Sequence, residues 1–343
     1  MEVVVKKKFD QELKEIWQNF EKQNKHIIFQ SYSWNKNIFE YLHKDLQKSE
    51  LTILIVKKKD DILAIFPFVV KKFFFFNIVS WLGDEFSDYL GPIIKNNIIQ
   101  TKELNEIYDA FYKALKTNDI IYLKNIIDDE NIIFNPYIKI SNVKKTSNIY
   151  GIKIQTSWDN YLLSNNLTKT QERINYYIRK LNNISNFSFF IADNDEEKKK
   201  IIIDTIRNKK KLSNNQSKKN LEDFFLQSEN LNNLHCSCLR LDNGKIISSN
   251  IGILQNNKFI YFYPSYVNDK NFSKYSIGKV LLYYLIKYSF EKKIDYFDFG
   301  IGNEEYKKKW SNYNVSTYEY LNPISITGYL YKTAKVVKNI FRN

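Results

Sequence analysis

His235-Cys-Ser-Cys-Leu-Arg-Leu241, Asp242-Asn-Gly244, Ile246-Ile-Ser-Ser-Asn-Ile-Gly-Ile-Leu254, Asn256-Asn257 and Phe259-Ile-Tyr-Phe-Tyr263 alternate apolar runs with turn residues. Asn and Gly tolerate positive φ, so the two polar breaks are hairpin turns and the runs form an antiparallel meander of three strands. Ile277 to Phe290 follows as a helix with apolar residues at helical spacing. Tyr296 to Phe299 is then a short strand ending in Gly300-Ile301-Gly302. Meander, helix and one further strand make a mixed α/β unit.

The first half has the same order of elements. Gln11–Phe20 and Trp34–Leu46 read as helices. Leu51–Val56 and Ile62–Val70 are strands around the charged turn Lys57–Asp61, and Asn77–Leu82 is a third. Leu104–Leu115 is a helix and Ile120–Leu123 a buried strand. In the second half, helices at Glu196–Arg207 and Leu221–Gln227 precede the meander. The expectation is an α/β fold of the α+β type: two copies of one unit, hinged near Ile140–Trp158, each a mostly antiparallel sheet flanked by helices. The domains expected are 1–145 and 146–325, with a basic amphipathic helix at 326–343.

The bulk properties fit this plan. A chain of 343 residues holds two domains at roughly 150 residues each. Hydrophobic residues at 43% and charged ones at 26% exclude a disordered chain, and 9 Gly with 5 Pro exclude a collagen-like one. The net charge of +14 favours anionic partners. Yet the only arginines are Arg173, Arg179, Arg207, Arg240 and Arg342, whereas phosphate and base recognition recruit arginine for its planar fork. Coding rich in A and T, which also enriches Asn, Ile, Phe and Tyr, is the better account of the lysines. DNA is not an expected partner. Cys236 and Cys238 are too close for a disulfide framework, which points to a reducing compartment. Ile62–Val70 and Phe73–Leu82 are the most apolar stretches, and both fall short of the roughly 20 residues that span a bilayer. The N-terminus shows no signal-peptide pattern. A cytoplasmic protein, soluble or attached to the inner membrane face, is expected.

Three segments carry chemistry: Tyr263-Pro-Ser-Tyr266, Lys274-Tyr-Ser-Ile-Gly-Lys279, and Asp298-Phe-Gly-Ile-Gly-Asn-Glu-Glu-Tyr306-Lys307-Lys-Lys-Trp310. Gly278 opens a helix, where backbone N–H groups can approach a phosphate; it is equally an ordinary helix start. Asp298, at a strand end beside two glycines, is placed either to take a proton from an amine or to cap its own turn. Tyr306, Lys307 and Trp310 share one helical spacing. They either face a cleft or form a solvated helix with one buried aromatic face.

These segments resemble the Fem-like, CelD-like branch of the GNAT superfamily, in which two acetyltransferase-type folds lie in tandem. The resemblance also rests on Phe29-Gln-Ser-Tyr-Ser-Trp34, the strand pair ending in Phe66-Pro67, Ser87-Asp-Tyr-Leu-Gly-Pro92, the basic helix Arg173–Leu181 and the Asp242-Asn-Gly hairpin, and it covers residues 1–323. It implies transfer of an acyl or aminoacyl group to an amine of a sugar or cell-envelope precursor, free or lipid-linked. The donor is acyl-CoA in some members and charged tRNA in others. Members of the superfamily carry an Arg/Gln-x-x-Gly-x-Gly/Ala loop for the CoA pyrophosphate. Here the loop is Tyr275-Ser-Ile-Gly278-Lys-Val280, without the leading Arg or Gln, which keeps the tRNA donor open beside acyl-CoA. A non-catalytic binding protein that kept the fold is a third reading.

By this resemblance Asp298 is the base or acceptor-orienting group, with Tyr306 and Lys307 near the donor. Tyr263, Tyr275, Ser276, Gly278 and Lys279 would bind the donor, and Asp88, Tyr89, Arg173, Tyr266 and Trp310 the acceptor. No metal is expected: His235-Cys-Ser-Cys238 has no second ligand pair at zinc spacing. The runs Lys198–Lys200 and Lys209–Lys211 read as solvated helix faces, tRNA contact being the rarer reading. In the tail, Leu330, Ala334, Val337 and Phe341 share one face, which either docks on its own domain or, with the tail's basic residues, on an anionic membrane through 328–342.

Overall fold

The computed structural model describes residues 1–43, 49–96, 98, 101–127, 129, 143–209 and 215–340. The chain divides into two compact units, Met1–Ser147 with Val315–Asn343, and Asn148–Asn314. The strand and tail helix after residue 314, expected in or beyond a second domain, therefore belong with the first unit.

In the first unit, strands β1 (Glu2–Lys6), β2 (Ser49–Lys58), β3 (Asp61–Phe73) and β4 (Phe76–Trp81) pair antiparallel in order, and the two-residue β5 (Ile93–Ile94) adds to β3. The helix Thr101–Leu115 then crosses to β6 (Ile120–Ile126), which runs parallel to β4. Leu63 to Val70 is buried at every position. Such unbroken burial is why this strand reads as a continuous apolar run. Phe66, Phe68, Trp81 and Phe111 stack at the centre of the core beneath the helix. The helix expected at Trp34–Leu46 is instead Tyr32–Asn37 continued by a π-turn, Ile38–Leu42, with Leu46 outside the described residues.

The second unit repeats that order. Strands β8 (Phe187–Ile191), β9 (Leu234–Leu241), β10 (Ile246–Gln255) and β11 (Lys258–Tyr266) pair antiparallel, and the helix Ile277–Glu291 crosses to β12 (Tyr296–Ile301), parallel to β11. Both anticipated turns are present: Gly244 has φ +85, and Asn256 and Asn257 have φ 51 and 56. Helices Asp195–Arg207 and Asn215–Phe225 cover one face, where Thr205 donates to Ser249 Oγ at 2.8 Å. The helix Ile277–Glu291 packs on the other, over Phe259, Tyr261 and Phe297.

Each sheet is closed by a strand that its own repeat does not supply in sequence order. Residues 149–153 of β7 (Lys144–Lys153), which precedes the second unit's repeat, pair antiparallel with β12. Residues 318–323 of β13 (Tyr313–Pro323), which follows it, pair antiparallel with β6 in the first unit.

Candidate active site

Three irregularities of the second sheet converge on one place. β11 and β12 pair only from Lys258↔Tyr296 to Ile260↔Asp298, then continue separately to Tyr266 and Ile301. On the far side of β12, the pairing with β7 shifts register between Asp298 and Ile301. A bulge also sets Ile260–Tyr263 of β11 against Ile251–Ile253 of β10. A bulge adds one residue and turns side chains to the other face. Tyr261 consequently faces the helix Ile277–Glu291, while Tyr263 meets Phe225 at 5.7 Å on the opposite face.

The strand end is held by its own residues. Asp298, 1% exposed, accepts at Oδ1 from the Gly300 N–H at 2.7 Å, which is the turn-capping alternative. Gly300 (φ +72) and Gly302 (φ +139) occupy backbone conformations that a side chain would strain. Lys307 is buried, and its Nζ donates to the Ile301 carbonyl at 2.7 Å and pairs with Glu304 Oε2 at 3.1 Å. Its cation fastens the turn, so it is not the open charge expected beside a donor. Glu304 keeps 54% of its side chain exposed.

Burial, with the Glu304 charge added, raises the Tyr306 hydroxyl well above its ordinary value. Burial likewise raises that of Tyr261, helped by Tyr306 and Tyr266. The Tyr261 and Tyr306 hydroxyls therefore stay protonated at physiological pH. The ring of Tyr266 lies over the start of the helix Ile277–Glu291, 3.4 Å from where a Cβ on Gly278 would stand. Ser276 precedes that helix in the left-handed region (φ 51), and no side chain caps it. An uncapped start leaves N–H groups pointing outward. Around it lie exposed Lys274 and Lys279, and Tyr275, whose ring is 6.5 Å from that of Tyr177. Arg173 Nε donates to the Tyr177 hydroxyl at 2.8 Å, which ties Arg173 to this helix start.

Other expected site residues lie elsewhere. Tyr263 packs against Phe225: the Lys209 ammonium sits over its ring at 4.3 Å, and burial pushes its hydroxyl up to about 12. Trp310 is buried, its ring stacked on that of Trp158 at 6.2 Å, because the helix Glu305–Trp310 turns this face into the core. Tyr89 is fully buried in the first unit, edge-on to Phe29 at 5.8 Å, so it offers no surface to an acceptor; Asp88 beside it is half-buried. Tyr261 and Glu304 were not singled out by sequence.

Lys198 donates to the Leu231 carbonyl at 2.8 Å, and Lys200 lies 3.4 Å from Glu196. Lys209 donates to the Pro264 carbonyl at 2.6 Å, and the rest of its run lies outside the described residues. Among the described residues no group of three His, Cys, Asp or Glu side chains is arranged to hold a metal ion. Burial pushes both thiols, Cys236 and Cys238, up to about 12.

His235 packs between Phe259 and Tyr288, and burial, with Lys198 adding, lowers it to about 4 from an ordinary 6.5. The unfolded chain therefore takes up this proton first on acidification. The stability concerned is intact above pH 6.5 and lost as pH falls towards 4, on the order of 3 kcal/mol in all. Urea unfolding at pH 7 and pH 4.5 should register the loss, and His235→Gln should flatten it; an equal loss in the variant would remove His235 as its source.

Residues 168–308 match the family model described as an acetyltransferase (GNAT) domain. No curated protein matches the chain. Among solved structures, FemX superposes with a TM-score of 0.60 at 11% identity, over 94% of this chain and 98% of that one. L-PGS from Bacillus licheniformis gives 0.53 at 12%, over 89% and 90%. The C-terminal domain of a putative lysylphosphatidylglycerol synthetase from Agrobacterium fabrum gives 0.52 at 10%, over 95% and 96%. At these identities the likeness is one of fold. The second unit thus contains an acetyltransferase (GNAT) domain, in a chain that shares its fold with FemX along most of its length.

Proposed function

We propose that the second unit transfers an acyl group from acyl-CoA to a primary amine of a sugar or cell-envelope precursor. The observation that carries this reading is the parting of β11 and β12 beyond Ile260 and Asp298, next to the uncapped helix start at Ser276–Gly278. The gap suits a thioester arm, and the helix start suits the phosphates at its other end. Backbone N–H groups along the unpaired edge of β11 would bind the tetrahedral oxyanion.

An amine attacks only when neutral, so a base must take its proton. The raised tyrosines are donors rather than bases, and Asp298 is committed to the Gly300 N–H. We assign the proton to Glu304, the exposed carboxylate beside Tyr306. Tyr306 and Tyr261 then donate hydrogen bonds to the oxyanion or the departing thiolate, while Asp298 and Lys307 hold the turn. Glu304→Gln should lower kcat by about 100-fold with the donor KM unchanged. Undiminished turnover in Glu304→Gln, with loss in Asp298→Asn instead, would return the role of base to Asp298.

Charged tRNA is the second reading, favoured by Tyr275 where the CoA loop has Arg or Gln and by Arg173, Lys274 and Lys279 around the same helix start. Titration calorimetry with acetyl-CoA separates the two. Binding supports the first; no binding, with turnover dependent on aminoacyl-tRNA, supports the second. Both donors are made in the cytoplasm, where the proposal sets the reaction.

A further inference from the structure

The β3–β4 hairpin of the first unit ends in Phe73-Phe74-Phe75-Phe76. Phe76 turns inward, its ring 5.6 Å from Tyr331 of the tail helix Ile326–Ile340. Phe73, Phe74 and Phe75 do not: they are 53%, 82% and 87% exposed. Phe74 moreover holds the turn at φ 52, a position that Gly, Asn or Asp fills at less strain. Neither folding nor turn geometry accounts for three phenylalanines in water.

The tail helix packs beside this hairpin. It is docked through Tyr331 and through Gly328, where any side chain would strike the Asp119 carbonyl. Ile326, Tyr329 and Leu330, at helical spacings of three and four, are left 85%, 61% and 64% exposed. Between hairpin and helix lies a cavity of about 260 Å³ whose lining includes Lys71, Lys72, Phe73, Asp84 and Tyr331. Lys71 pairs with Asp84 at 2.7 Å, whereas Lys72, next to Phe73 in the hairpin, and Lys332, next to Tyr331 in the tail helix, are exposed.

We propose that this face of the first unit docks on an anionic membrane surface. The hairpin tip inserts its phenylalanines at headgroup depth, the tail helix lies along the interface, and Lys72 and Lys332 meet lipid phosphates. A convex tip with a basic collar complements a negatively charged lipid surface, and aromatic rings partition to the headgroup level. Among the described residues no helix is long and apolar enough to cross a membrane, so the contact is peripheral. It is independent of the donor and acceptor proposed above.

Sedimentation of the full chain with vesicles tests this. It should pellet with phosphatidylcholine vesicles containing phosphatidylglycerol and stay in solution with phosphatidylcholine alone. The double variant F74S/F75S, altered only at exposed positions, should keep the wild-type circular dichroism and bind the anionic vesicles at least about tenfold more weakly. Lys72→Glu should weaken binding several-fold. Absence of pelleting, or unchanged binding by F74S/F75S, overturns the proposal. So does a dimer in sedimentation velocity that F74S/F75S dissolves without any vesicle binding, which would assign the patch to a second copy of the chain.

Discussion

Gly278→Glu should abolish measurable acyl-CoA binding and leave the fold as stable as before, or slightly more so. The opposite signs come from one place. A Cβ at Gly278 would meet only the Tyr266 ring, at 3.4 and 3.8 Å, which is ordinary van der Waals contact. Within the helix Ile277–Glu291, replacing glycine recovers part of the roughly 1 kcal/mol that glycine costs relative to alanine. A carboxylate in the first turn adds about 0.3–1 kcal/mol by complementing the helix dipole. That carboxylate would also fill the proposed anion site with a tethered negative charge. Donor phosphates would then be repelled where N–H groups should receive them, and the dissociation constant should rise by about 100-fold or more. Calorimetry and a thermal melt on the same sample check both halves. Wild-type affinity in Gly278→Glu would mean that the donor does not use this helix start.

Trp310→Ala should be the most destabilising single change in the second unit. The ring is 4% exposed, lies parallel to Trp158 (13° between planes) and 6.4 Å from Tyr283, and the Tyr161 hydroxyl donates to the Trp310 carbonyl. Emptying such a site costs about 3–5 kcal/mol. At about 2–4 °C per kcal/mol for a unit of this size, the melting temperature should fall by about 10 °C. Denaturant titration gives the free energy directly. A variant of full stability with lost turnover would put Trp310 back at the substrate.

What could be read in advance follows how local each signal is. Asp242-Asn-Gly and Asn256-Asn257 named their own hairpins because positive φ is a property of those residues. The helix Ile277–Glu291 and the parallel strand after it were legible for the same kind of reason, in continuous apolar runs. β7 and β13 were not: Lys-Lys-Thr-Ser-Asn opens β7, half-exposed residues fill β13, and neither strand is given by an alternation strong enough to stand out. The spacing of Tyr306, Lys307 and Trp310 left a cleft-facing and a core-facing helix equally open, since spacing gives a face and not what covers it; Trp310 and Lys307 are buried. The opposite facing of Tyr261 and Tyr263 is not legible in the sequence because the bulge opposite Gly252 breaks the period of two. Glu304, proposed above as the base, has no signature in the sequence, because an exposed glutamate in an acidic pair looks like any other surface residue.

The closure of β6 by β13 has a consequence for biosynthesis. Residues 318–323 leave the ribosome only after all of residues 148–314, although β6 ends at Ile126. At about 5–20 residues per second, the nascent first unit waits many seconds with that strand's edge unpaired. Such an edge is a template for misassociation. The later-made unit can therefore complete its sheet while the earlier one is still open, and termination just short of residue 318 would leave a polypeptide that aggregates during synthesis.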